Sequence, residues 1–356
     1  MELIDLSRYA GIKSSCAIPP FDEIRQSPPI QFTQTLDLVE TKENVARVDH
    51  AIRQGWRVVR VQRIPADDRF LNRSSFPRRI LFEMTSNCNY NCRMCPQVNL
   101  KRPRMHMETE LYKRGLDEIS LHGVEGLWLY HLGESILHPS FREILNHVSE
   151  KRSLGIVWMS TNGRYFNESI ARAVMESSVD YVNYSAHGVT QEAYESVIPM
   201  GNFSVVQENL ERFYRMKGQP NKRKKPFIHT QMIEQETTRH EVDPFIARHI
   251  ERADLVSINM LEYVNLPGNQ YGLQQRVRSP LRSCLRVQRN DCFICSNGSV
   301  TLCDAAYNGE LYLGDIHSQT IHEIWNGDKR KKILGLNSSG CMNEIEFCRT
   351  CTDYDI

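Results

Sequence analysis

Three cysteines lie within eight residues of one another, directly after a strongly apolar run at 80–84. They are Cys88, Cys92 and Cys95, in the spacing C-x3-C-x2-C. A structural zinc ion takes four ligands, commonly as two separated pairs, whereas a tight trio closes on one face of a cluster and leaves one metal position without a protein ligand. The trio therefore predicts a metal site with an open position for chemistry. A zinc knuckle or incidental buried cysteines are the alternatives.

The other cysteines are concentrated near the C-terminus. Of eleven in the chain, seven lie between 284 and 351, and only Cys16 stands apart from both groups. Thiols stay free in the reducing cytosol, so clustered cysteines there indicate metal binding or catalysis more than disulfides. The distribution therefore predicts a second metal site.

Charge and hydropathy exclude several function classes. The net charge is +1, which gives no electrostatic basis for binding nucleic acid or an anionic membrane. No stretch approaches the roughly 20 apolar residues of a membrane span, and the first residues lack the basic-then-apolar form of a signal peptide. We expect a cytoplasmic protein with one large domain and a smaller one, and no nucleic-acid or membrane partner.

The middle of the chain alternates regularly between strand and helix patterns, which predicts a parallel α/β sheet. About six β/α units fit, too few for a full eight-fold barrel, so the expected fold is a partial (β/α)6 TIM-like barrel. The predicted strands are 80–85, 126–132, 155–160, 181–185, 227–233 and 255–263. The predicted helices include 108–120, 141–151, 169–177, 205–216 and 244–253.

Unusual polar motifs follow the predicted strands, where the active sites of such barrels collect. The cysteine loop follows the first strand, 131–135 the second, 160–163 the third and 185–188 the fourth. By contrast, the basic run 221–225 precedes a strand, so we interpret it as a solvated loop on the opposite rim.

Together and in this order, these motifs resemble the radical SAM superfamily. The resemblance implies that Cys88, Cys92 and Cys95, followed here by Pro96, hold a [4Fe-4S] cluster whose fourth iron binds the amino and carboxylate groups of S-adenosylmethionine. The family's strand-two motif is usually Gly-Gly-Glu, and here Leu132 replaces the first glycine. The positions that match the family's S-adenosylmethionine contacts are Met94, Gly133, Glu134, Ser135, Ser160, Thr161, Asn162 and Ser185.

The C-terminal cysteines resemble those of the SPASM and shorter twitch extensions of this superfamily. Cys284, Gly298 and Cys303 fit C-x13-G-x4-C, and Cys348 and Cys351 follow as C-x2-C. A two-cluster pattern needs cysteines beyond Cys351, so the resemblance implies one auxiliary [4Fe-4S] cluster held by these four thiols. A four-cysteine zinc site is the alternative. Between the two groups, 313–316 looks like a turn and 321–326 like a short amphipathic helix.

The expected domains are an N-terminal extension at 1–75, the barrel at 76–266 and the auxiliary-cluster domain at 267–356. Within the extension a helix fits 42–55 and a strand fits 56–62; its role is substrate recognition, a cap, or packing over an open barrel edge.

Three cysteines have no assigned place: Cys292, Cys295 and Cys341. Each is a buried apolar thiol, a substitute cluster ligand, or a hydrogen-atom donor of the kind found in radical SAM epimerases, with Cys295 as the candidate we single out.

The resemblance implies reductive cleavage of S-adenosylmethionine to a 5′-deoxyadenosyl radical, with a flavodoxin- or ferredoxin-type electron donor. We expect oxidation or epimerisation of a small polar molecule, such as a sugar or aminocyclitol. Oxidation needs a base at the barrel mouth. The candidates are Glu262, Tyr263, His229, Glu234 and His187.

Two other functions remain open. One is modification of a ribosomally made peptide, which we rank lower because 1–75 shows at most one convincing strand. The other is a non-catalytic zinc or iron-sulfur protein, which would have no need of the motifs at 133–134 and 161–163.

Overall fold

The computed structural model describes residues 75–218, 225–260, 284–349 and 351, together with the backbone of two strands at 35–39 and 60–64. The helix predicted at 42–55 lies outside the described residues. The strands are β1 (Thr35–Val39), β2 (Arg60–Ile64), β3 (Arg79–Phe82), β4 (Gly126–Trp128), β5 (Ile156–Thr161), β6 (Tyr181–Ser185), β7 (Phe227–Glu234), β8 (Leu255–Met260), β9 (Asp291–Ile294), β10 (Ser299–Thr301) and β11 (Tyr312–Asp315).

The helices alternate with strands β3 to β8 and then recur among the C-terminal strands. They are α1 (Thr109–His122), α2 (Phe141–Glu150), α3 (Glu168–Glu176), α4 (Gln191–Val197), α5 (Phe203–Lys217), α6 (Val242–His249), α7 (Leu285–Gln288), α8 (Ile321–Trp325), α9 (Asp328–Ser338) and α10 (Glu346–Arg349). Within the described ranges, no helix is long and apolar enough to cross a membrane.

The chain divides into two compact units. The first, which we call the cysteine unit, comprises the described residues of 71–160, 176–179 and 262–356. In it β3, β4 and β5 are parallel neighbours in that order. On its other edge β3 pairs in parallel with β9, and β10 and β11 continue antiparallel from β9. The C-terminal region therefore extends the same sheet that begins with β3.

The core of the cysteine unit forms where α1 packs on β3. Phe82 is fully buried, and the Tyr112 ring stacks on it with ring centroids 4.0 Å apart. The Tyr112 hydroxyl also donates to the carbonyl of Phe82 at 3.0 Å. The buried positions of α1 recur every three or four residues, so one face of the helix meets the sheet. They are Leu111, Tyr112, Gly115, Leu116 and Ile119.

The second unit, which we call the β6–β8 unit, comprises the described residues of 161–175 and 180–261 together with the parallel pair β1 and β2. Its sheet has β6, β7 and β8 in parallel order. On one face the Tyr214 hydroxyl of α5 lies 2.7 Å from the Thr230 hydroxyl of β7. Helix α5 therefore packs against that face of the sheet.

The predicted α/β class with parallel strands is confirmed, and each of the six predicted strands is present as β3 to β8. β3 ends early at Phe82 because the backbone that follows bonds elsewhere: Met107 N–H donates to Met84 O at 2.9 Å, and Ser86 N–H to Met105 O at 3.0 Å.

Three local predictions have clear outcomes. The predicted turn at 313–316 is wrong, because most of it is strand β11, which pairs with β10. Of the strand predicted at 56–62, residues 60–62 belong to β2, and 56–59 lie outside the described residues; the partner strand β1 was not predicted. The short helix at 321–325 is confirmed, and it begins with a capping box in which Thr320 and Glu323 bond each other's backbone amides.

Candidate active site

The cysteine loop leaves the sheet directly after β3 and is closed at its base by the bonds to 105–107. Cys95 N–H donates to Cys92 O at 3.0 Å, which forms a turn between these two cysteines. A short 3-10 helix, Pro96–Asn99, follows at once. Proline fits the first position of a helix because its missing N–H would have had no partner there. The turn and helix hold three half-buried thiols in one short segment.

Electrostatics in this loop favour a cationic group. Burial raises the pKa of the Cys92 thiol, and the neighbouring Cys95, Cys88 and Glu134 raise it further. Burial also raises the pKa of Cys95, while Arg104 lowers it. Burial and the mutual repulsion of their charged forms keep these thiols protonated, and binding of a metal cluster would displace the protons and neutralise the resulting thiolates. The donor set therefore fits an iron-sulfur cluster. Across the described residues, no three His, Cys, Asp or Glu side chains converge on a point suited to one metal ion.

The Gly133–Glu134 segment packs directly against the start of the cysteine loop. Gly133 has φ +86°, and a Cβ there would lie 2.3 Å from the carbonyl oxygen of Thr85. Glu134 N–H donates to Asn87 O at 2.8 Å, and the Glu134 side chain is buried. Only glycine allows this approach, because other residues would clash and would be strained at positive φ. The carboxylate is thereby placed beside the cysteines.

The other residues of the cysteine unit that are expected near S-adenosylmethionine differ in their contacts and burial. The Ser135 hydroxyl donates to Leu129 O at 2.7 Å, so it stabilises the loop backbone. Met94 is buried within the cysteine loop, and Ser160 is half-buried near the end of β5.

The structure groups the four auxiliary cysteines as two pairs. Burial raises the pKa of the Cys303 thiol, and nearby Asp304 and Cys284 raise it further. Cys351 N–H donates to Cys348 O at 3.3 Å, so these two share one turn. Cys284 is anchored by Asn337, whose side-chain oxygen accepts from its N–H at 2.6 Å.

The three cysteines without an expected role differ in exposure. Cys292 in β9 and Cys295 just after it are fully buried, whereas Cys341 is half-buried. Burial, with the nearby Glu83 carboxylate, raises the pKa of Cys295 to about 12. Cys295 therefore stays a neutral thiol at physiological pH.

In the β6–β8 unit the segment 161–163 forms a tight turn. The Thr161 hydroxyl accepts from Gly163 N–H at 3.1 Å, and the Asn162 side chain accepts from Arg164 N–H at 3.0 Å. The side-chain amide of Asn209 donates to Gly163 O at 2.9 Å and so anchors the turn to helix α5. Both side chains thus have local partners that define the turn.

His187 lies two residues beyond β6 with φ +51° and is buried. Burial lowers its pKa to about 4, so the ring is neutral at pH 7. Its Nδ1 accepts from Ile233 N–H at 3.2 Å, which leaves Nε2 to carry the ring proton. His187 is thus arranged as a hydrogen-bond donor.

The face of β6, β7 and β8 opposite the one that α5 contacts carries six polar side chains, together with the apolar Ile233 and Leu255. The set, which we call the polar sheet face, consists of Asn183, Ser185, His229, Gln231, Ser257 and Asn259. In register, Asn183 lies opposite His229, and Gln231 lies between Ser185 and Ser257. The Asn183 amide donates to Gln231 Oε1 at 2.7 Å, and His229 Nε2 lies 2.7 Å from Ser257 Oγ.

The remaining base candidates have separate surroundings. His229 belongs to the polar sheet face. Glu234 ends β7 and forms an ion pair with Arg239 at 2.7 Å. Glu262 and Tyr263 lie outside the described residues.

Most of the polar sheet face and the carboxylate of Glu83 were not predicted from the sequence. The signal for the former was partial, because Asn183 and Ser185 alternate with apolar residues in the predicted strand at 181–185, whereas three consecutive polar residues interrupt any alternation at 227–233. For Glu83 the signal was one carboxylate inside an apolar run, whose partner, Arg102, only the fold identifies.

Comparisons with known proteins agree with this geometry. The family model of the radical SAM superfamily matches residues 82–227, and that of an iron-sulfur cluster-binding domain, SPASM, matches residues 284–352. These two domains imply a [4Fe-4S] cluster that binds S-adenosylmethionine and an auxiliary cluster.

Among curated relatives, the S-adenosyl-L-methionine-dependent 2-deoxy-scyllo-inosamine dehydrogenase of Niallia circulans is 20% identical over 278 residues, which cover 77% of this chain and 92% of that protein. The GTP 3′,8-cyclase of Chlorobaculum tepidum is 24% identical over 129 residues, 36% of this chain and 38% of that protein.

Among solved structures, BtrN in complex with AdoMet and 2-DOIA has a TM-score of 0.55 at 18% identity and covers 80% of this chain and 96% of its own. SuiB of Streptococcus suis bound to its precursor peptide SuiA has a TM-score of 0.59 at 12% identity, over 83% and 79%. These likenesses show the fold, whose parallel sheet core is typical of the partial barrel of such proteins.

Proposed function

Because the chain belongs to the radical SAM superfamily and carries a SPASM-type domain, we propose that it oxidises a small polyhydroxylated or amino-substituted molecule, such as a sugar or aminocyclitol. The single observation that carries this substrate class is the polar sheet face. The relative from Niallia circulans, which acts on 2-deoxy-scyllo-inosamine according to its name, supports the same class.

Cys88, Cys92 and Cys95 would hold the [4Fe-4S] cluster that binds S-adenosylmethionine, and Cys284, Cys303, Cys348 and Cys351 the auxiliary cluster. When bound, these groups would supply the one-electron chemistry of the reaction: reductive cleavage of S-adenosylmethionine, removal of a hydrogen atom from substrate, and acceptance of the electron that the substrate then loses. An external flavodoxin- or ferredoxin-type protein would supply the reducing electron.

The chain's own residues prepare this site. Gly133 allows Glu134 to lie beside the cysteine loop, where its carboxylate can receive the amino group of S-adenosylmethionine. The turn at 161–163 would border the ribose, with Ser185 and Met94 as further contacts.

The polar sheet face argues for the substrate class because strands of a parallel sheet are normally apolar on both faces. In β7 the buried positions Ile228, Thr230 and Met232 alternate with half-buried His229, Gln231 and Ile233. Amide, imidazole and hydroxyl groups on one face can both donate and accept hydrogen bonds. That combination suits a substrate carrying several hydroxyl or amino groups.

Oxidation of an alcohol carbon also releases a proton from its hydroxyl. We assign its acceptance to His229, the titratable member of the polar sheet face, which Ser257 orients. Glu234 is less suited, because Arg239 already neutralises its carboxylate.

Modification of a peptide is the second candidate function. Leader-binding modules of such enzymes contain helices and a three-stranded sheet, and the parallel pair β1 and β2 corresponds to two strands of such a sheet. The relative from Niallia circulans, which matches 77% of this chain, acts on a small molecule by name, and we rank the peptide second.

The test is anaerobic reconstitution followed by iron and sulfide analysis and an assay for 5′-deoxyadenosine with a panel of polyols, aminocyclitols and peptides. We expect about eight irons per chain, from two four-iron clusters, and deuterium transfer from a C-deuterated polyol or aminocyclitol to 5′-deoxyadenosine. Bound zinc without cleavage would refute the radical enzyme, and deuterium transfer from a peptide alone would establish the second candidate.

Two pairs of variants test which cysteines serve each cluster and whether the polar sheet face binds the substrate. Cys88→Ala should abolish S-adenosylmethionine cleavage, whereas Cys348→Ala should retain some cleavage and lose product. Gln231→Leu should raise the KM for substrate about tenfold with uncoupled cleavage unchanged, since it removes a hydrogen-bonding group from the polar sheet face. Its control, Thr230→Val, changes the adjacent residue on the helix-covered face and should leave KM unaltered.

A further inference from the structure

Glu83 carries a carboxylate that is fully buried immediately after β3. A buried charge is costly unless it is paired and hydrogen-bonded. Arg102, itself buried, supplies the pair: its Nη2 lies 2.7 Å from each carboxylate oxygen. Neither residue belongs to the cysteine sets or to the polar sheet face.

The Glu83 carboxylate also accepts two backbone amides from distant segments. Leu132 N–H donates to Oε1 at 3.0 Å, and Ser296 N–H donates to Oε2 at 2.7 Å. Leu132 immediately precedes the Gly133–Glu134 segment, and Ser296 follows Cys295 in the turn between β9 and β10. One carboxylate thus joins the loop after β4 to the C-terminal extension.

Arg102 extends these links to the cysteine loop, in whose C-terminal arm it lies. Its Nε donates to Tyr307 O at 2.7 Å, and its Nη1 donates to Ser296 Oγ at 3.1 Å. Ser296 Oγ in turn donates to Ser86 Oγ at 3.0 Å, two residues before Cys88. Every contact in this set lies within the cysteine unit.

We propose that the Glu83–Arg102 pair positions the S-adenosylmethionine loop and couples it to the C-terminal extension. This inference rests on the proposed function in assigning Glu134 to S-adenosylmethionine. Leu132 N–H and Ser296 N–H bond to the two oxygens of one carboxylate. A displacement of the C-terminal segment near Ser296 therefore moves this carboxylate, and with it Leu132 and the adjacent Glu134. Glu83 is therefore a positioning residue that does not touch the reactants.

Glu83→Gln is the decisive variant, because it preserves shape but replaces one acceptor oxygen with a donor that faces Arg102 and one backbone amide. Its matched control is Asp291→Asn. Asp291 forms a two-point ion pair with Arg79, at 2.6 and 3.2 Å, and so joins β9 to β3 by the same chemistry without contacting Leu132.

Two readouts separate positioning from general stability. Amide hydrogen exchange of the protein, which needs no bound cofactor, should become about tenfold faster at both Leu132 and Ser296 in Glu83→Gln, as expected for loss of a charged hydrogen bond. S-adenosylmethionine should bind the reconstituted variant about tenfold more weakly, with iron content unchanged. Asp291→Asn should alter neither quantity.

Equal effects of the two variants on exchange and on S-adenosylmethionine affinity would overturn the proposal, as would a Glu83→Gln protein that binds S-adenosylmethionine like the wild type. If Glu83→Gln does not fold, Arg102→Lys tests the same coupling, because lysine keeps the charge but cannot reach Tyr307 O and Ser296 Oγ together. Failure of the wild type itself to bind S-adenosylmethionine would refute the proposed function, while the exchange pattern would still decide the coupling.

Discussion

At the scale of single residues, Gly133 determines how closely the Glu134 loop approaches the cysteine loop. A Cβ at Gly133 would meet the Thr85 carbonyl oxygen at 2.3 Å, and the backbone has φ +86°. Gly133→Ala should therefore lower the free energy of unfolding by about 3 kcal/mol or more and weaken S-adenosylmethionine binding, because strain and a backbone clash add. Thermal unfolding and equilibrium binding measure the two effects.

Gly309 provides the matched control. It has φ +90°, yet a Cβ there would meet no atom within 4 Å. Gly309→Ala should cost about 1 kcal/mol through backbone strain alone, with normal S-adenosylmethionine binding. If the two substitutions lowered the free energy of unfolding equally, the close approach at Gly133 would not contribute to the loss of stability.

Buried histidines in the β6–β8 unit predict how stability depends on pH. Burial lowers the pKa of His187 to about 4, and burial together with Arg248 and Arg252 lowers that of His249 to about 3. The unfolded chain, with histidine pKa near 6.5, binds these protons more readily. Stability should therefore be constant above pH 6.5 and fall as pH drops towards 4, by about 3 kcal/mol for His187.

Urea unfolding at a series of pH values tests this dependence. His249→Asn should reduce the slope between pH 6.5 and 4, whereas the same substitution at exposed His240 should leave it unchanged. An unchanged slope in the His249 variant would show that this ring is not the titrating group.

At the scale of elements, the contact between α1 and β3 depends on Gly115. A Cβ at this position would lie 2.6 Å from the Phe82 ring. Glycine to alanine inside a helix usually stabilises by roughly 0.5–1 kcal/mol, but here overpacking should reverse the sign and destabilise by about 1–3 kcal/mol. Thermal unfolding gives the sign directly.

Gly335 in α9 is the control, because a Cβ added there would meet no neighbouring atom within 4 Å. Gly335→Ala should raise stability by roughly 0.5–1 kcal/mol. Adding Phe82→Leu to Gly115→Ala should recover part of the loss, since it removes the atoms that clash. Additive effects of the two changes would contradict direct packing.

Elements with strong periodicity could be predicted from sequence, and elements defined by distant partners could not. The helix α2 could be predicted because its apolar residues Phe141, Ile144, Leu145 and Val148 recur every three or four positions within the segment. β9 has only four residues, all buried, and its partner β3 lies more than 200 residues earlier, at Arg79 against Asp291. Such long-range parallel pairing leaves no local signal.

The residues of the candidate site likewise divide into those that a local motif predicts and those that only tertiary contacts identify. The cysteine loop and the Gly133–Glu134 segment could be predicted because each is a local motif with its own spacing. The Glu83–Arg102 pair is 19 residues apart along the chain, and its links to Leu132 and Ser296 span 49 and 213. Their role depends on tertiary contacts that no spacing rule describes.

At the scale of the whole molecule, β9 ties the C-terminal extension into the sheet of the cysteine unit. Its four residues pair in register with β3, and the Asp291–Arg79 ion pair fastens one end. A chain ending at residue 283 would expose the edge of β3, and edge strands with unpaired amides promote aggregation. We expect this truncation to be insoluble or strongly destabilised.

A chain ending at residue 340 keeps β9 to β11 and Cys303 but loses Cys348 and Cys351, so it separates loss of the sheet edge from loss of auxiliary thiols. It should remain soluble and bind the first cluster, with about four irons per chain, and cleave S-adenosylmethionine without oxidising substrate. Sedimentation, iron analysis and the 5′-deoxyadenosine assay check each outcome. If the 283-residue chain were as soluble and as stable as the 340-residue chain, β9 would not be needed to complete the sheet, and the extension would serve only to carry cysteines.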